Sequence, residues 1–467
     1  MATASKIQLH ATQQPEYYRH GIEQAATEKA SALLQKNHDQ HHIFFNRDGF
    51  HDHIAHHLLT IWALRANSNE LQHAYDINAG YQRTLGKLAA TDMHDAEKFK
   101  SYLGKEQYYH DFMVFFQDEM KKTSMPEVVN KYLLAGDERA DDLLCRLFAG
   151  FLLNNGLFTP QPDAVYLPHM HIVLYRTPPS IQHFLHSLIH VGFAVEFEQP
   201  AIVAEGLAQA AVHGPYMSKF FLPTEEAAKE RSNEPPKSIV QILDEVHADA
   251  ELREAPRWSD GNKLRDGIIG RAGARMASLA SQFHVKTDEL ERKTAEMANA
   301  AAYFTAGAQE DGYARMYDFY YMHCVNCSIF LSTLLKLDWI TDANKVRLLN
   351  WKVWNDLAMY ASRKSPDIRM DLVRQYNPKE SSGWDGIFDR VTGVEDDGHA
   401  SKLVRALAHG QQICGPYEDR EEFRVKHDDW LLMGHMAIDS VEAGEPHWVR
   451  SAGFDEAWDS PALRAQL

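Results

Sequence analysis

Apolar residues recur along most of the chain at intervals of three and four, the spacing that places them on one face of an α-helix. The pattern predicts helices near 21–36, 50–66, 69–89, 94–103, 107–121, 126–134, 139–154, 180–196 and 199–213. Glycine, proline and Asn-Gly signals punctuate them. A second helical block follows at roughly 264–282, 286–306, 313–337, 341–363 and 367–376, and then a Gly- and Asp-rich loop near 382–399. Between the blocks, 222–262 is polar, charged and proline-containing around one short amphipathic helix near 238–249. It reads as an excursion from a single domain spanning 1–467. The tail HWVRSAGFDEAWDSP reads as a short docking segment. Strand-like alternation is scarce, so the expected class is all-α, a large multi-helix globular fold.

Composition narrows the partners. Lys plus Arg number 48 against 65 Asp plus Glu, and the net charge of −17 argues against a nucleic-acid or anionic-membrane surface. No apolar run reaches the ~18 residues of a membrane span, and the amino terminus lacks a charged start followed by an apolar stretch. The expectation is a cytoplasmic protein with no membrane partner. Cys324 and Cys327 form a C-x-x-C, but with 4 cysteines in all no second pair completes a structural zinc site. GIIGRAGAR at 267–275 follows no predicted strand and lacks the dinucleotide spacing.

Histidine is the anomaly, with 26 residues, several inside apolar segments. In GFHDHIAHHLLTIWAL, from Gly49, a helical wheel sets His57 among Phe50, Ile54 and Ile61. His53 lies four residues earlier at the edge of that stripe, so the two can converge on one point. His51 and His56 fall elsewhere and are expected to be solvent-facing or structural. In SIQHFLHSLIHVGFAVEF, Ser180 is a candidate N-cap after Pro178 and Pro179. His183, His186, His190, Phe193 and Phe197 share one face there. In MYDFYYMHCVNCSIFLSTLL, His323 lines up with Met316, Phe319, Cys327, Phe330 and Leu334.

A lone buried histidine is commonly structural, but an unpartnered buried imidazole costs roughly 1–3 kcal/mol. Three helices each aiming histidine inward therefore predict a metal site buried between them. All-imidazole donors suit iron, copper, zinc or nickel better than magnesium or calcium. An oxygenase commonly adds an anionic oxygen ligand, for which Glu196, Glu205 and Lys352 are candidates. Lys352 shares a face with Leu348, Leu349, Asp356 and Met359 and is flanked by Trp351 and Trp354. Burial there favours the neutral amine, which reacts with carbon dioxide to give an anionic carbamate. A plain Lys352–Asp356 salt bridge is the competing reading.

Five ordered blocks carry a resemblance: HHIFFN with GFHDHIAHHLLT, FLHSLIHVGFAVEFEQPAIVAEGLAQAAVH, YMHCVNCSIF, WKVWNDLAMYASR and RSAGFDEAW. Together they resemble the questin oxidase-like family of fungal secondary metabolism, from about residue 40 to the end. The resemblance implies a mononuclear non-heme Fe(II) centre held by several histidines and a carboxylated lysine. Carried onto this chain, the lysine is Lys352 and the histidines come from His53 or His57, His186, His190 and His323. One departure is HSLIH where HPLIH is expected, a change at the helix entrance.

The implied activity is a dioxygenase using O2 to cleave a C–C bond in an anthraquinone-type aromatic polyketide, a small-molecule partner. His213, Asp318 and Tyr320 are candidates for proton transfer. Three rivals remain. An NADPH-dependent Baeyer-Villiger-type monooxygenase would consume nicotinamide. A non-catalytic helical protein would bind metal or metabolite without taking up oxygen. A zinc hydrolase would work without oxygen.

Overall fold

The computed structural model describes residues 1–46, 49–150 and 185–465. The described residues form twenty-one α-helices and no strand, with isolated bridges such as Asp318 to Val449. The fold is all-α, as the periodicity predicts. The helix Tyr321–Leu335 lies at its centre and packs against Leu290–Gly307, Asp342–Ser362, His186–Glu196 and His399–Cys414. The helix Ile54–Ala63 closes the group by touching both His186–Glu196 and His399–Cys414.

Two glycines permit this closeness. A Cβ on Gly192 would sit 2.3 Å from Cγ of Phe330, so only glycine lets the His186–Glu196 helix approach the central one. Gly398 has φ +87°, and a Cβ there would meet the His57 Cβ at 2.7 Å. It lets the chain turn into the His399–Cys414 helix directly against Ile54–Ala63.

Tertiary pairing overrides several predicted helix ends. The helix predicted over 69–89 starts at an Asn67–Glu70 capping box but stops at Ala79. Beyond it the chain runs back along 40–42, with His42 N–H donating to Arg83 O at 2.8 Å and Leu85 N–H to Gln40 O at 2.9 Å. The helix predicted from 313 begins at Tyr321, because Phe319 N–H is drawn to Val449 O at 2.7 Å.

The polar stretch 222–262 is packed helix for much of its length. Ser218–Glu230, Ile239–Ala248 and Ala250–Glu254 are helical, and Thr224, Ile242, Leu243, Val246 and Leu252 are buried. The loop expected near 382–399 contains the helix Trp384–Val391, and His399–Cys414 and His427–Glu442 are helices outside the predicted set. The candidate helix entrance at Ser180, with Pro178, Pro179 and His183, lies outside the described residues; the described helix begins at His186.

Candidate metal centre

Four helices present a histidine at or near their first residue, and the four rings meet. His53 is the N-cap of Ile54–Ala63, and His186 and His399 open their own helices. His323 lies in the first turn of Tyr321–Leu335. One ring nitrogen each from His53, His186 and His399 lie within 4.8 Å of one another, and all three residues are buried. His323 Nε2 is 3.3 Å from His399 Nε2, and its ring centroid is 4.8 Å from that of His186. A metal bound at about 2.1 Å to several imidazoles sets their nitrogens about 3–4 Å apart, so little movement separates this arrangement from a ligated one.

The outer nitrogens decide what the inner ones offer. Asp397 receives Nδ1 of His53 on Oδ2 at 3.0 Å and Nδ1 of His399 on Oδ1. His323 Nδ1 faces Phe319 O at 2.7 Å. With each Nδ1 donating, the Nε2 atoms carry lone pairs. Those of His323 and His399 then face each other, which is repulsive unless a cation lies between them. Nε2 of His53 is buried and has no hydrogen-bond partner among the described residues. Burial, joined by the positive charge of Lys402, pushes His53 and His323 down to about 3. His399 also falls to about 3, chiefly through burial and against the pull of Asp397. The rings are therefore neutral at ordinary pH, the state that binds a metal. The donor set fits a borderline transition metal.

A buried lysine, Lys402, follows one turn along from His399, and its charge acts on these rings. It is 5% exposed, and burial lowers it to about 8 against the opposing pull of Asp397 and Asp396. Asp396 is itself raised to about 6, by burial and by Asp397, although Ala400 and Gly398 donate backbone N–H groups to it at 2.8 and 2.7 Å. The Asp397 side chain is 38% exposed, so the centre borders solvent on that side.

Lys352, the lysine that the resemblance puts at the metal, is engaged by an acidic neighbour one turn along its own helix. It is fully buried and donates to Asp356, with Cys324 O at 3.1 Å and Met297 Sδ at 3.8 Å. The charged and polar groups that act on it are Asp356, Cys327 and Cys324. This is the i, i+4 ion pair of the competing reading. The two thiols are buried and free, and burial raises both, Cys327 to about 12.

His57 packs under Gly398, with both ring nitrogens buried and unpartnered among the described residues. His190 belongs to a second line of groups. His56 Nε2 lies 3.0 Å from His190 Nδ1, His190 Nε2 2.7 Å from Glu205 Oε2, and the other Glu205 oxygen receives His38 Nδ1. Burial alone would raise Glu205, but the bonds from His190 and His38 bring it down to about 2. Glu205 is thus a buried anion held by two imidazoles. Glu196, the other carboxylate candidate, pairs with buried Arg405. His51 and His56, expected at the surface or in structural roles, are both buried. His51 stacks on His186 at 4.4 Å and meets His213 Nε2 at 3.1 Å.

Of the proton-transfer candidates, His213 stands behind His51, with Nδ1 3.0 Å from Ser187 Oγ. Asp318 is an anchor. One oxygen accepts Tyr320 N–H at 2.8 Å and Tyr321 N–H at 3.0 Å; the other accepts Ser451 N–H at 2.6 Å and Ala452 N–H at 2.8 Å. Those four bonds tie the segment around Ser451 to the start of the Tyr321–Leu335 helix. Tyr320 is buried beneath the Arg363 guanidinium, 3.9 Å from its ring centre. His399, Asp397 and Lys402 lie in or just after the stretch 382–399, whose Gly and Asp content predicts a loop. The available signal was Gly398 followed by an i, i+4 apolar run through Leu403 and Leu407.

An all-helical fold around a buried histidine cluster able to hold a metal defines the class. The sequence profile of the questin oxidase-like family matches residues 50–407, and the chain belongs to that family. It is 37% identical over 449 residues to the Baeyer-Villiger oxidase ptaJ of Pestalotiopsis fici, covering 93% of this chain and 94% of the relative. To the questin oxidase of Aspergillus fumigatus it is 34% identical over 483 residues, covering 98% and 99%. To the oxidoreductase AflY of Aspergillus parasiticus it is 35% identical over 461 residues, covering 96% and 86%. The relatives' names place the chain among oxidoreductases.

Proposed function

We propose that this protein is a non-heme iron oxygenase that opens a ring of an anthraquinone-type aromatic polyketide with dioxygen. The iron would be held by His53, His186, His323 and His399, with Lys402 as its carbamate supplying the anionic oxygen ligand. The observation that carries the metal is the pair of inward Nε2 lone pairs of His323 and His399, 3.3 Å apart. Lys402 replaces Lys352 in this reading for two reasons. Its charge reaches the imidazoles, and a lysine lowered to about 8 holds a sizeable neutral fraction near neutral pH, the form that takes up carbon dioxide.

Bound iron supplies oxygen activation and stabilises the negative charge that develops as the ring is oxidised. The chain's own residues set the conditions for it. Asp397 fixes two imidazoles as Nδ1–H tautomers. The helix N-termini around the cluster favour an anionic substrate oxygen through their aligned dipoles. Burial keeps bulk water off the imidazoles and strengthens each of these interactions.

The relatives named as Baeyer-Villiger oxidases support a second reading, oxygen insertion driven by NADPH. One experiment separates the two. Iron content and oxygen uptake on a hydroxyanthraquinone are measured for the wild type, His399→Ala and Lys402→Ala, with and without NADPH. About one iron per chain, and uptake that needs no NADPH and is lost in both variants, is the expected result. Stoichiometric NADPH consumption, or full uptake in His399→Ala, overturns the iron reading.

A further inference from the structure

We infer that Arg450 and the face of Phe319 form the substrate-selecting edge of this centre, binding the anionic substituent, phenolate or carboxylate, of a fused-ring aromatic substrate. The inference rests on the reading above that the histidine centre acts on such a ring. Phe319 touches both ends of the arrangement. Its ring centre is 5.1 Å from that of His323 and 5.1 Å from that of His399, while the Arg450 guanidinium lies over it at 4.7 Å. A flat tricyclic molecule lying along Phe319 would reach the imidazoles at one end and the guanidinium at the other. Trp448, 6.5 Å from His399 between ring centres, adds a second aromatic wall from the same segment.

Arg450 is exposed and has no carboxylate partner among the described residues, in a chain rich in acidic groups. Its backbone is nonetheless fixed. Val449 N–H donates to Tyr317 O at 3.0 Å, Phe319 N–H donates to Val449 O at 2.7 Å, and the next two N–H groups end on Asp318. Ser451 is held at φ +74°, a conformation that costs a non-glycine residue on the order of 1 kcal/mol and persists only where its surroundings enforce it. The fixed segment thus delivers a cation with no carboxylate partner among the described residues one aromatic ring away from the histidines. In a chain whose net charge of −17 repels anions overall, a local cation is the feature that would attract one.

The test compares two probes that differ in charge, 1,8-dihydroxyanthraquinone-3-carboxylate and its methyl ester, binding without oxygen as followed by tryptophan quenching. Arg450→Gln should weaken the carboxylate about tenfold, the scale of one charge-assisted contact, and move the ester by less than about twofold. Arg450→Lys should retain most of the difference between the probes. Thermal melts confirm that both variants fold. Equal weakening of both probes, no change in either, or no binding of either probe to the wild type overturns the assignment. Because nothing turns over, the result is independent of oxygen uptake. A wild type that discriminates the probes through Arg450 yet takes up no oxygen would refute the oxygenase reading and leave this one standing.

Discussion

Asp397 bridges His53 and His399, accepting the Nδ1–H of one imidazole on each of its carboxylate oxygens. Two rings from helices far apart in sequence are thereby set in the tautomer that turns Nε2 inward. Asp397→Asn keeps the shape but offers an amide where a carboxylate stood. Metal affinity should fall about 10–100-fold, the usual effect of losing an outer partner of a ligating histidine. Competition with a chelator measures it, and unchanged affinity would remove Asp397 from the site.

Gly398 precedes His399 at φ +87°, and a side chain there would press on His57, whose Cβ is 2.7 Å from the added carbon. Gly398→Ala combines a left-handed backbone with a clash against a buried ring. A loss of about 1–3 kcal/mol of stability is expected from denaturant unfolding, with weaker metal binding alongside. A variant as stable as the wild type would mean that the turn relaxes without cost.

The two buried lysines should respond differently. Lys352→Met leaves Asp356 as an uncompensated buried charge, and removing one member of such a pair costs about 3–5 kcal/mol. Iron content per folded chain should be preserved. Lys402→Met should instead lower iron content and abolish any dependence of activity on added bicarbonate. If Lys352→Met loses iron while Lys402→Met keeps it, the lysine assignment is reversed.

Much of the fold and part of the site were legible because both follow helical periodicity. His53, His186 and His323 stand out as polar residues on apolar faces, and the structure brings their rings together. Periodicity could not choose between His53 and His57, since both lie within one turn of the same segment. In the fold the Gly398 turn packs on His57, while Asp397 accepts from His53. His399 and Lys402 were hidden for the same reason: a Gly- and Asp-rich approach reads as loop until the helix it enters has something to pack against. The apolar surroundings of Lys352 in the sequence suit a structural ion pair and a modified ligand alike. His190 sits on a histidine face too, yet Glu205, fifteen residues along the chain, captures it.

The Glu205–His38 pair makes stability depend on pH in a stated window. Glu205 lies at about 2 in the folded chain against an ordinary 4.5, since the bonds from His190 and His38 outweigh burial. A lowered carboxylate stabilises the fold above its ordinary value, and that contribution drains away as pH falls from about 4.5 towards about 2. Burial lowers His38, but Glu205 more than offsets it and the net shift is upward from 6.5. A raised histidine stabilises fully below that ordinary value, and its share is lost as pH rises through the folded value. Both contributions are therefore complete only between about 4.5 and 6.5. Glu205→Gln removes the anion, so the melting-temperature gap between wild type and variant should be widest in that window and narrow on either side. A gap that stays constant from pH about 3 to about 9 would show that Glu205 contributes through packing and neutral hydrogen bonds, with no charged pair behind His190.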